Sequence, residues 1–541
     1  MRANVPTPTA AAQLLRTRLG KICVAVIGST PAEMIEKATA VVKESPFVEF
    51  RLDYLEKPLN ALPKIKQFFA DNTAATGIAT CRRAANGGKF TGSLAAEMEI
   101  LSKAAHSGFH LVDLELESAE SLKKGELQKL RDTGVALIIS HHDFSATKDL
   151  DKIYERIAPF QPDFVKIVPT AKHLTDNVTL MRFIERMNEN ANIVGICMGD
   201  AGIISRVLGL RAGSAFTFAA ATQGEETGPG QIASRTLIET YRIDQVDAAT
   251  KVYGVAGNPI KSSLSPIMMN SAFRRETVNA VYLALQATKL NDLLKLVQEI
   301  PIQGLSITMP HKQEIMEHLA NTDPLSAKIG ACNTVLRAQD GKLYGFNTDV
   351  AGIIGPLQKR ISLDGAKALV LGAGGAARAA VFGLRDKGAE VHILNRTPET
   401  AQKLARQSGS KTIKKEAVAK TAFDVVINAT PIGMAGQKGT QILEAKDLAN
   451  TKLVFDLVYN PLETPLIRLA RQQGIPFITG VEMFVQQGAR QFEIWTGKPA
   501  PEEEMLRVVI HALRQQAEAA AAEAEATAKA SAKPIKAKKA S

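Results

Sequence analysis

Lys166 sits in the run FVKIV, flanked on both sides by apolar residues of strand-forming type. Burying an ammonium there costs free energy, so the run favours the neutral amine. A neutral amine is the nucleophile a Schiff base with a carbonyl substrate requires. A lysine that snorkels or pairs with a carboxylate would fit that run equally well if it stood alone. It does not stand alone. Other apolar runs end in Glu49 and Arg51, in Arg82 and in the pair His141-His142, while Arg206 and Gln231 (in GPGQ) follow two more. Glu49 and Arg51 are two apart and so share a strand face. Arginine forks match the carboxylate and hydroxyl groups of a small anionic substrate, and a histidine is a natural proton acceptor near neutral pH. Neighbouring strand residues face opposite ways, so one of the two histidines points inward.

Beyond residue 250 the chemistry changes. YGVAGNPIKSSLSP presents two hydroxyls, Ser263 and Ser265, and GLSITMPHK, GACNTV and GFNTD follow. Taken singly, Ser-x-Ser-Pro is a turn signal and Asn-Thr-Asp a helix cap. KALVLGAGGAARA is more specific. An apolar strand runs into Gly372-x-Gly374-x-x-Ala377 and then a helix, the dinucleotide fingerprint with alanine at its third position. Backbone at such glycines approaches a pyrophosphate, and the helix N-terminus favours its charge. The next strand, EVHILNRT, ends in Asn395-Arg396-Thr397, where NAD enzymes carry an acid. An acid would repel a 2′-phosphate and Arg396 attracts it, so NADP is the expected cofactor.

These residues need elements to hold them. Residues 20–242 contain eight apolar runs: ICVAVIG, FVEFRLD, GIATCR, FHLVDLEL, VALIISHHDF, FVKIVPT, IVGICMG and FTFAA. Helical segments separate them, which implies parallel strands and a (β/α)8 barrel whose chemistry lies at the C-terminal strand ends. An open doubly wound sheet is disfavoured because no glycine-rich loop follows the first run. IDQVDAATK breaks the rhythm, so 243–251 reads as a linker. A second α/β pattern spans 252–354 and is completed by 480–514. A third, dinucleotide-binding pattern spans 355–479. Residues 1–19 read as a flexible start and the Ala/Lys-rich 515–541 as a disordered tail, with at most a frayed helix in its alanine-rich part.

The chain has 541 residues and a net charge of +11, part of it in the terminal lysines. With one Trp and no basic stretch interleaved with aromatics, that charge suits anionic small molecules better than nucleic acid. The four cysteines are scattered without metal-ligand spacing, so neither a disulfide framework nor a metal site is expected. No apolar run approaches membrane-spanning length. The acid-free first twenty residues resemble a transit peptide in composition. They are read instead as a frayed start of a cytoplasmic protein, with an organelle such as a plastid as the alternative. The oligomeric state is left open, with a monomer favoured.

In their joint order, EFRLD, TCR, SHHDF, VKIV, MGDAGIISR and GPGQ resemble class I 3-dehydroquinate dehydratase over nearly all of residues 20–240. The resemblance implies that Lys166 forms an imine with the substrate ketone and that His142 removes the neighbouring proton. It gives Arg206 the carboxylate, and Glu49, Arg51, Arg82, Thr227 and Gln231 the hydroxyls or the lid. His141 is then structural. Thr227 stands where that family usually has serine. Asn86 stands before Gly87-Gly88, where the family commonly has a glutamate that orients the histidine. An amide cannot balance an imidazolium by charge, so a weakened dehydratase is expected.

The second half resembles shikimate dehydrogenase. That likeness implies substrate contacts from Ser263, Ser265, Thr308, Asn333 and Gln487, with Lys312 and Asp349 as the catalytic pair. Ser306 replaces a frequent asparagine. NADP contacts are implied for Gly372, Gly374, Gly375, Ala376, Asn395, Arg396, Thr397, Thr430, Met434, Tyr459 and Gly480. A second basic residue common after Arg396 is absent, Thr400 standing there and Lys403 nearby. Together the likenesses imply a bifunctional enzyme of the shikimate pathway, hence of chorismate and aromatic amino acid biosynthesis. Its expected architecture is α/β: an N-terminal TIM barrel, an α/β substrate domain and a Rossmann domain. A catabolic, NAD-dependent oxidation is disfavoured by Arg396. A non-enzymatic binding role is disfavoured by the intact Lys166, His142, Lys312 and Asp349.

Overall fold

The structure, a computed structural model, describes residues 19–260, 262–435 and 442–531. By contacts it divides into two compact units, Met1–Val252 with Leu283–Pro301, and Tyr253–Tyr282 with Ile302–Ser541.

All eight expected runs of the first unit form strands: β1 (Ile22–Val26), β2 (Phe47–Arg51), β3 (Thr76–Thr80), β4 (Leu111–Glu115), β5 (Ala136–His142), β6 (Phe164–Val168), β7 (Ile193–Gly195) and β8 (Thr217–Ala220). They lie in the order β7-β6-β5-β4-β3-β2-β1-β8. The ladder is parallel throughout, and β8 returns to pair with β1. The gap between β7 and β8 is spanned by the Ala215 amide donating to the Ile193 carbonyl, so the barrel is nearly closed.

Its interior is graded along the axis. Strand side chains alternate in and out, and the inward set starts apolar at the N-terminal ends. Phe47, Leu111, Ala136, Ile138, Phe164, Phe216 and Phe218 share one buried cluster, with Phe47 and Phe164 edge-on to Phe216 at 5.0 and 5.6 Å. Two residues further along the same strands the inward positions turn polar: Glu49 and Arg51, Asp113 and Glu115, Ser140 and His142, Lys166. Close-packed rings thus form the floor of a polar cup.

Beyond the barrel, β9 (Lys251–Gly257), β10 (Ala280–Gln286), β11 (Ile302–Ile307), β12 (Asn321–Thr322), β13 (Thr334–Arg337) and β14 (Leu343–Phe346) form a mixed sheet in the order β10-β9-β11-β13-β14-β12. β13 runs antiparallel to both its neighbours. Trp495 anchors this layer by donating its indole N–H to the Val335 carbonyl at 3.0 Å. Glycine is required at 304, because a Cβ there would lie 2.4 Å from the Trp495 ring nitrogen.

The Rossmann sheet comprises β15 (Lys367–Leu371), β16 (Glu390–Leu394), β17 (Lys411–Thr412), β18 (Val425–Asn428), β19 (Val454–Asp456) and β20 (Phe477–Ile478), in the order β17-β16-β15-β18-β19-β20. All its pairings are parallel. Ala368 and Val370 pack into one buried cluster and Leu369 and Leu371 into another, so both faces of β15 are covered.

Two expectations are corrected. The segment 243–251 is not a bare linker: Ile243 and Val246 are buried, because its apolar side chains dock rather than face water. The last helix runs Glu502–Ser531, well past residue 515 where disorder was expected, since alanine-rich sequence has high helix propensity. The rest of that tail and nearly all of the N-terminal segment lie outside the described residues.

Candidate active sites

One pocket at the C-terminal strand ends of the barrel is lined by Glu49, Arg51, Arg82, Asn86, His142, Lys166, Arg206, Thr227 and Gln231. Every barrel residue singled out in the sequence as chemical is therefore brought to one place, apart from His141. The Lys166 ammonium donates to Asp113 at 2.8 Å, lies 3.9 Å from Glu49, and sits 3.9 Å above the centre of the Phe218 ring. This amends the sequence reading. Lys166 is buried, yet it is an ion-pair partner of Asp113 and not a lone lysine among apolar side chains.

Asp113 and Glu115 were missed. Their signal was present in FHLVDLEL, where two acids alternate on one strand face. Asp113 also accepts from Arg82 at 3.0 Å and from Ser140 at 2.5 Å. Arg82 bonds Ser140 at 2.7 Å and pairs with Glu115. Arg51 forks onto Asp53 at 2.9 and 2.8 Å, and Thr80 donates to Glu49 at 2.7 Å. The Gln231 side-chain carbonyl accepts from the Thr227 amide and hydroxyl at 2.7 and 3.1 Å, which holds the GPG turn closed.

His142 turns its Nδ1 to Glu115, 3.1 and 3.0 Å from the two carboxylate oxygens. Burial, reinforced by the Arg82 and Lys166 cations, holds this imidazole well below its ordinary pKa, so it is neutral and able to accept a proton. His141 lies apart, paired with Glu117 at 3.1 Å. Arg206 differs from the other cations. It is buried, its Nη2 donates to the Pro229 carbonyl at 3.1 Å, and its Nε has no hydrogen-bond partner among the described residues. Desolvation pulls its pKa down to about 10. A buried guanidinium left short of an anion is a seat for one.

In the second unit, Lys312 and Asp349 meet at 2.5 Å. Asn333 bridges Asp349 at 2.7 Å, Thr348 at 3.0 Å and Gln487 at 3.5 Å. Behind them lies a buried relay the sequence did not reveal. The Tyr282 phenol donates to Ser306 at 2.5 Å, Ser306 donates to Gln491 at 2.7 Å, and the Gln491 amide donates to Thr334 and to the Asn333 carbonyl at 3.0 and 3.2 Å. Ser265 hydrogen-bonds the same phenol, and Ser263 accepts from the Ser265 amide at 3.3 Å. Ser306, shorter than asparagine, is therefore an integral link. Thr308 is half-buried, its side chain packed against Gly257.

The glycine loop after β15 fits a dinucleotide. Gly372 has φ +109°, Gly374 has nothing within 4 Å of where a Cβ would stand, and a Cβ on Gly375 would lie 3.2 Å from the Lys312 side chain. The helix Gly375–Asp386 has no side-chain cap at its N-terminus, leaving its amides for phosphate. Ala376 lies half-buried in its first turn, and Arg396 and Thr397 are exposed beyond β16. Asn395 donates to the Thr397 carbonyl at 2.9 Å. Tyr459 stacks on Phe484 at 4.4 Å, and Met434 is exposed. Gly480 is packed so closely that a Cβ would lie 2.4 Å from the Val458 carbonyl oxygen.

Asp456, at the end of β19, organises these loops. Its carboxyl accepts from Asn428 at 2.9 Å, the Val458 amide at 3.0 Å and Thr464 at 2.6 Å. Asn428 in turn accepts from the Thr430 amide and hydroxyl at 3.1 and 2.7 Å. Burial outweighs these hydrogen bonds and pushes the Asp456 carboxyl up to about 6.

Four family models match the chain. Type I 3-dehydroquinase matches residues 22–248, and the shikimate dehydrogenase substrate binding domain residues 255–335. Shikimate / quinate 5-dehydrogenase matches residues 357–459, and the shikimate 5'-dehydrogenase C-terminal domain residues 480–510. The chain is 33% identical over 509 residues to the chloroplastic bifunctional 3-dehydroquinate dehydratase/shikimate dehydrogenase of Arabidopsis thaliana, covering 89% of this chain and 83% of that one. It belongs to the family of bifunctional 3-dehydroquinate dehydratase/shikimate dehydrogenases. Its second half is 40% identical over 275 residues to the shikimate dehydrogenase (NADP(+)) of Pyrococcus furiosus, covering 50% of this chain and 99% of that one. A crystal structure of shikimate 5-dehydrogenase from Thermus thermophilus, in complex with NADP(H) and shikimate, covers 49% of the chain and is itself covered to 100%, at 36% identity and a TM-score of 0.46.

The geometry of this bifunctional family member yields two predictions. Gly480→Ala forces a Cβ onto a backbone carbonyl and should lower stability by about 1–3 kcal/mol. Gly374→Ala should leave the melting temperature unchanged yet weaken NADPH binding. Thermal melts and a fluorescence titration of both variants check this.

Asp456 gives a pH prediction. Its pKa is raised from 3.8 to about 6 on folding. Its protonated form therefore contributes stability that is present below the unfolded value and lost as pH rises through about 6. The shift corresponds to about 3 kcal/mol. Asp456→Asn should gain stability relative to the native chain between pH 4 and pH 7, read from urea midpoints at each pH.

Proposed function

We propose that the barrel dehydrates 3-dehydroquinate to 3-dehydroshikimate through an imine on Lys166, and that the second unit reduces 3-dehydroshikimate to shikimate with NADPH. The observation that carries the first half is a lysine, a neutral histidine and a buried arginine whose Nε has no partner among the described residues, all in one pocket. Arg206 takes the substrate carboxylate. The Lys166 amine adds to the ketone carbon and water leaves. The resulting iminium withdraws electrons from the adjacent carbon, and His142 takes the proton released there. The hydroxyl at the next carbon departs as water with a returned proton, and hydrolysis of the imine restores the lysine. Glu49, Arg51, Arg82, Thr227 and Gln231 orient the hydroxyls and close the mouth.

In the second unit Ser263, Ser265, Thr308, Asn333 and Gln487 hold the substrate. Lys312, aligned by Asp349, gives a proton to the carbonyl oxygen as it becomes a hydroxyl. Bound NADPH supplies the hydride. The fingerprint loop and Arg396 would hold its phosphates, and Tyr459, Thr430, Met434 and Gly480 would complete its site. The domain boundaries proposed are 20–242 for the dehydratase, 252–354 with 480–514 for the substrate domain, and 355–479 for the cofactor domain. Among the described residues no helix is long and apolar enough to cross a membrane. The four buried free cysteines suit a reducing compartment, and we assign the chain to the cytoplasm.

Borohydride added with 3-dehydroquinate should trap a covalent adduct detectable by mass spectrometry, and Lys166→Ala should abolish it. A native chain that forms no adduct contradicts the imine. For the reductase, Arg396→Ala should raise KM for NADP about tenfold or more, the worth of a hydrogen-bonded charge pair. KM for NAD should stay put, and an equal change with both cofactors contradicts the assignment of Arg396 to the 2′-phosphate.

A further inference from the structure

The histidine of the barrel lacks the acidic neighbour that position 86 would supply were it glutamate. Yet its ring is not adrift. His142 Nδ1 lies 3.1 and 3.0 Å from the two oxygens of Glu115, and the His142 backbone amide donates to the same carboxylate at 3.0 Å. Glu115 is 2% exposed, Arg82 pairs with it, and the Ser140 hydroxyl lies 3.0 Å away. Asn86 is engaged elsewhere, donating its amide to Glu117 at 3.2 Å. Glu117 in turn serves His141.

We infer that Glu115 is the positioning residue for His142, supplying from strand β4 the carboxylate that the loop at Asn86 does not supply. The inference rests on the dehydratase reading above. Three features support it. Glu115 and Ser140 are register partners in the β4–β5 ladder, with His142 two residues further along β5, so adjoining strands fix the carboxylate–imidazole geometry. Rigid elements hold such geometry better than loops. A carboxylate at Nδ1 also fixes the tautomer, leaving the Nε2 lone pair toward the pocket and open to a substrate proton. Finally, the taken proton makes an imidazolium in a site already rich in cations. The charged groups acting on His142 are Arg51 from β2, Arg82 after β3, Asp113 from β4 and Lys166 from β6. Asp113 already serves Arg82 and Lys166, which leaves Glu115 as the carboxylate in contact with the ring. The weakening expected from Asn86 is thereby offset.

The test is a four-protein cycle on the full chain: native, Glu115→Gln, Asn86→Glu and the double variant. Shikimate dehydrogenase activity of each protein serves as the folding control. In Glu115→Gln, kcat for dehydration should fall about 10–100-fold, the scale of general-base assistance, with KM little changed and borohydride trapping retained. The acid limb of its pH–rate profile should move to lower pH, because losing the carboxylate disfavours imidazolium. In the Glu115→Gln background, Asn86→Glu should restore both rate and pH profile. A Glu115→Gln enzyme with native kcat overturns the inference. So does a loss that Asn86→Glu cannot restore while trapping persists, because Glu115 then acts by holding Arg82. Absence of trapping in the native chain is a separate failure, that of the imine itself, and it takes the inference with it.

Discussion

Both chemical centres obey one constraint: an ammonium taken out of water must meet an anion, or the fold carries an uncompensated charge of several kcal/mol. Lys166 meets Asp113, and Lys312 meets Asp349. Each aspartate is buried and each is shared. Asp113 also takes Arg82 and Ser140, so one carboxylate on β4 joins side chains from β5, β6 and the loop after β3. Asp349 opens the helix Asp349–Gln358 and is held from the other side by Asn333. The reactive lysines are thereby fixed by charge as well as by packing. Arg206 breaks the pattern, being buried with an Nε that has no hydrogen-bond partner among the described residues, and that imbalance of charge is what supports the proposed seat for an anionic substrate.

The same alternation that buries an apolar floor delivers this polar cup. Along β4, Leu111 joins the ring-lined core while Asp113 and Glu115 turn into the pocket, and β5 and β6 repeat the gradient with Ile138 to Ser140 and Phe164 to Lys166. A shift of one residue on any of these strands would exchange the two faces. The reductase unit uses parallel strands differently. Its cofactor loops are gathered by Asp456, a carboxyl with no cation in hydrogen-bond contact among the described residues, which ties Asn428, Val458 and Thr464 together by hydrogen bonds alone.

Much of this could be read in the sequence because it depended on local period and local chemistry. The eight apolar runs each gave a strand, and the order of motifs picked out the pocket residues. The opposed directions of His141 and His142 followed from strand alternation alone. What stayed hidden depended on distant partners. Asp113 and Glu115 looked like ordinary strand acids until the ladder set Glu115 beside Ser140. Lys166 was read as a lysine in an apolar run, because its anion lies 53 residues away. Ser306 showed in the sequence only as a replacement for asparagine, because Tyr282 and Gln491, which make it a relay, are far off in the chain. The helix to Ser531 was underestimated because low complexity argues against a core yet says little against helix propensity.

The central claim is that one chain carries two successive chemistries on two separate lysine–aspartate pairs. It is tested most directly by following NADPH absorbance when the pure protein is given 3-dehydroquinate alone. The account predicts one NADPH oxidised for each 3-dehydroquinate consumed, with shikimate as the product. Lys166→Ala should stop that oxidation, and adding 3-dehydroshikimate should restore it. Lys312→Ala should let 3-dehydroshikimate accumulate. Continued NADPH oxidation from 3-dehydroquinate by the Lys166→Ala protein, or none by the native chain, would contradict it.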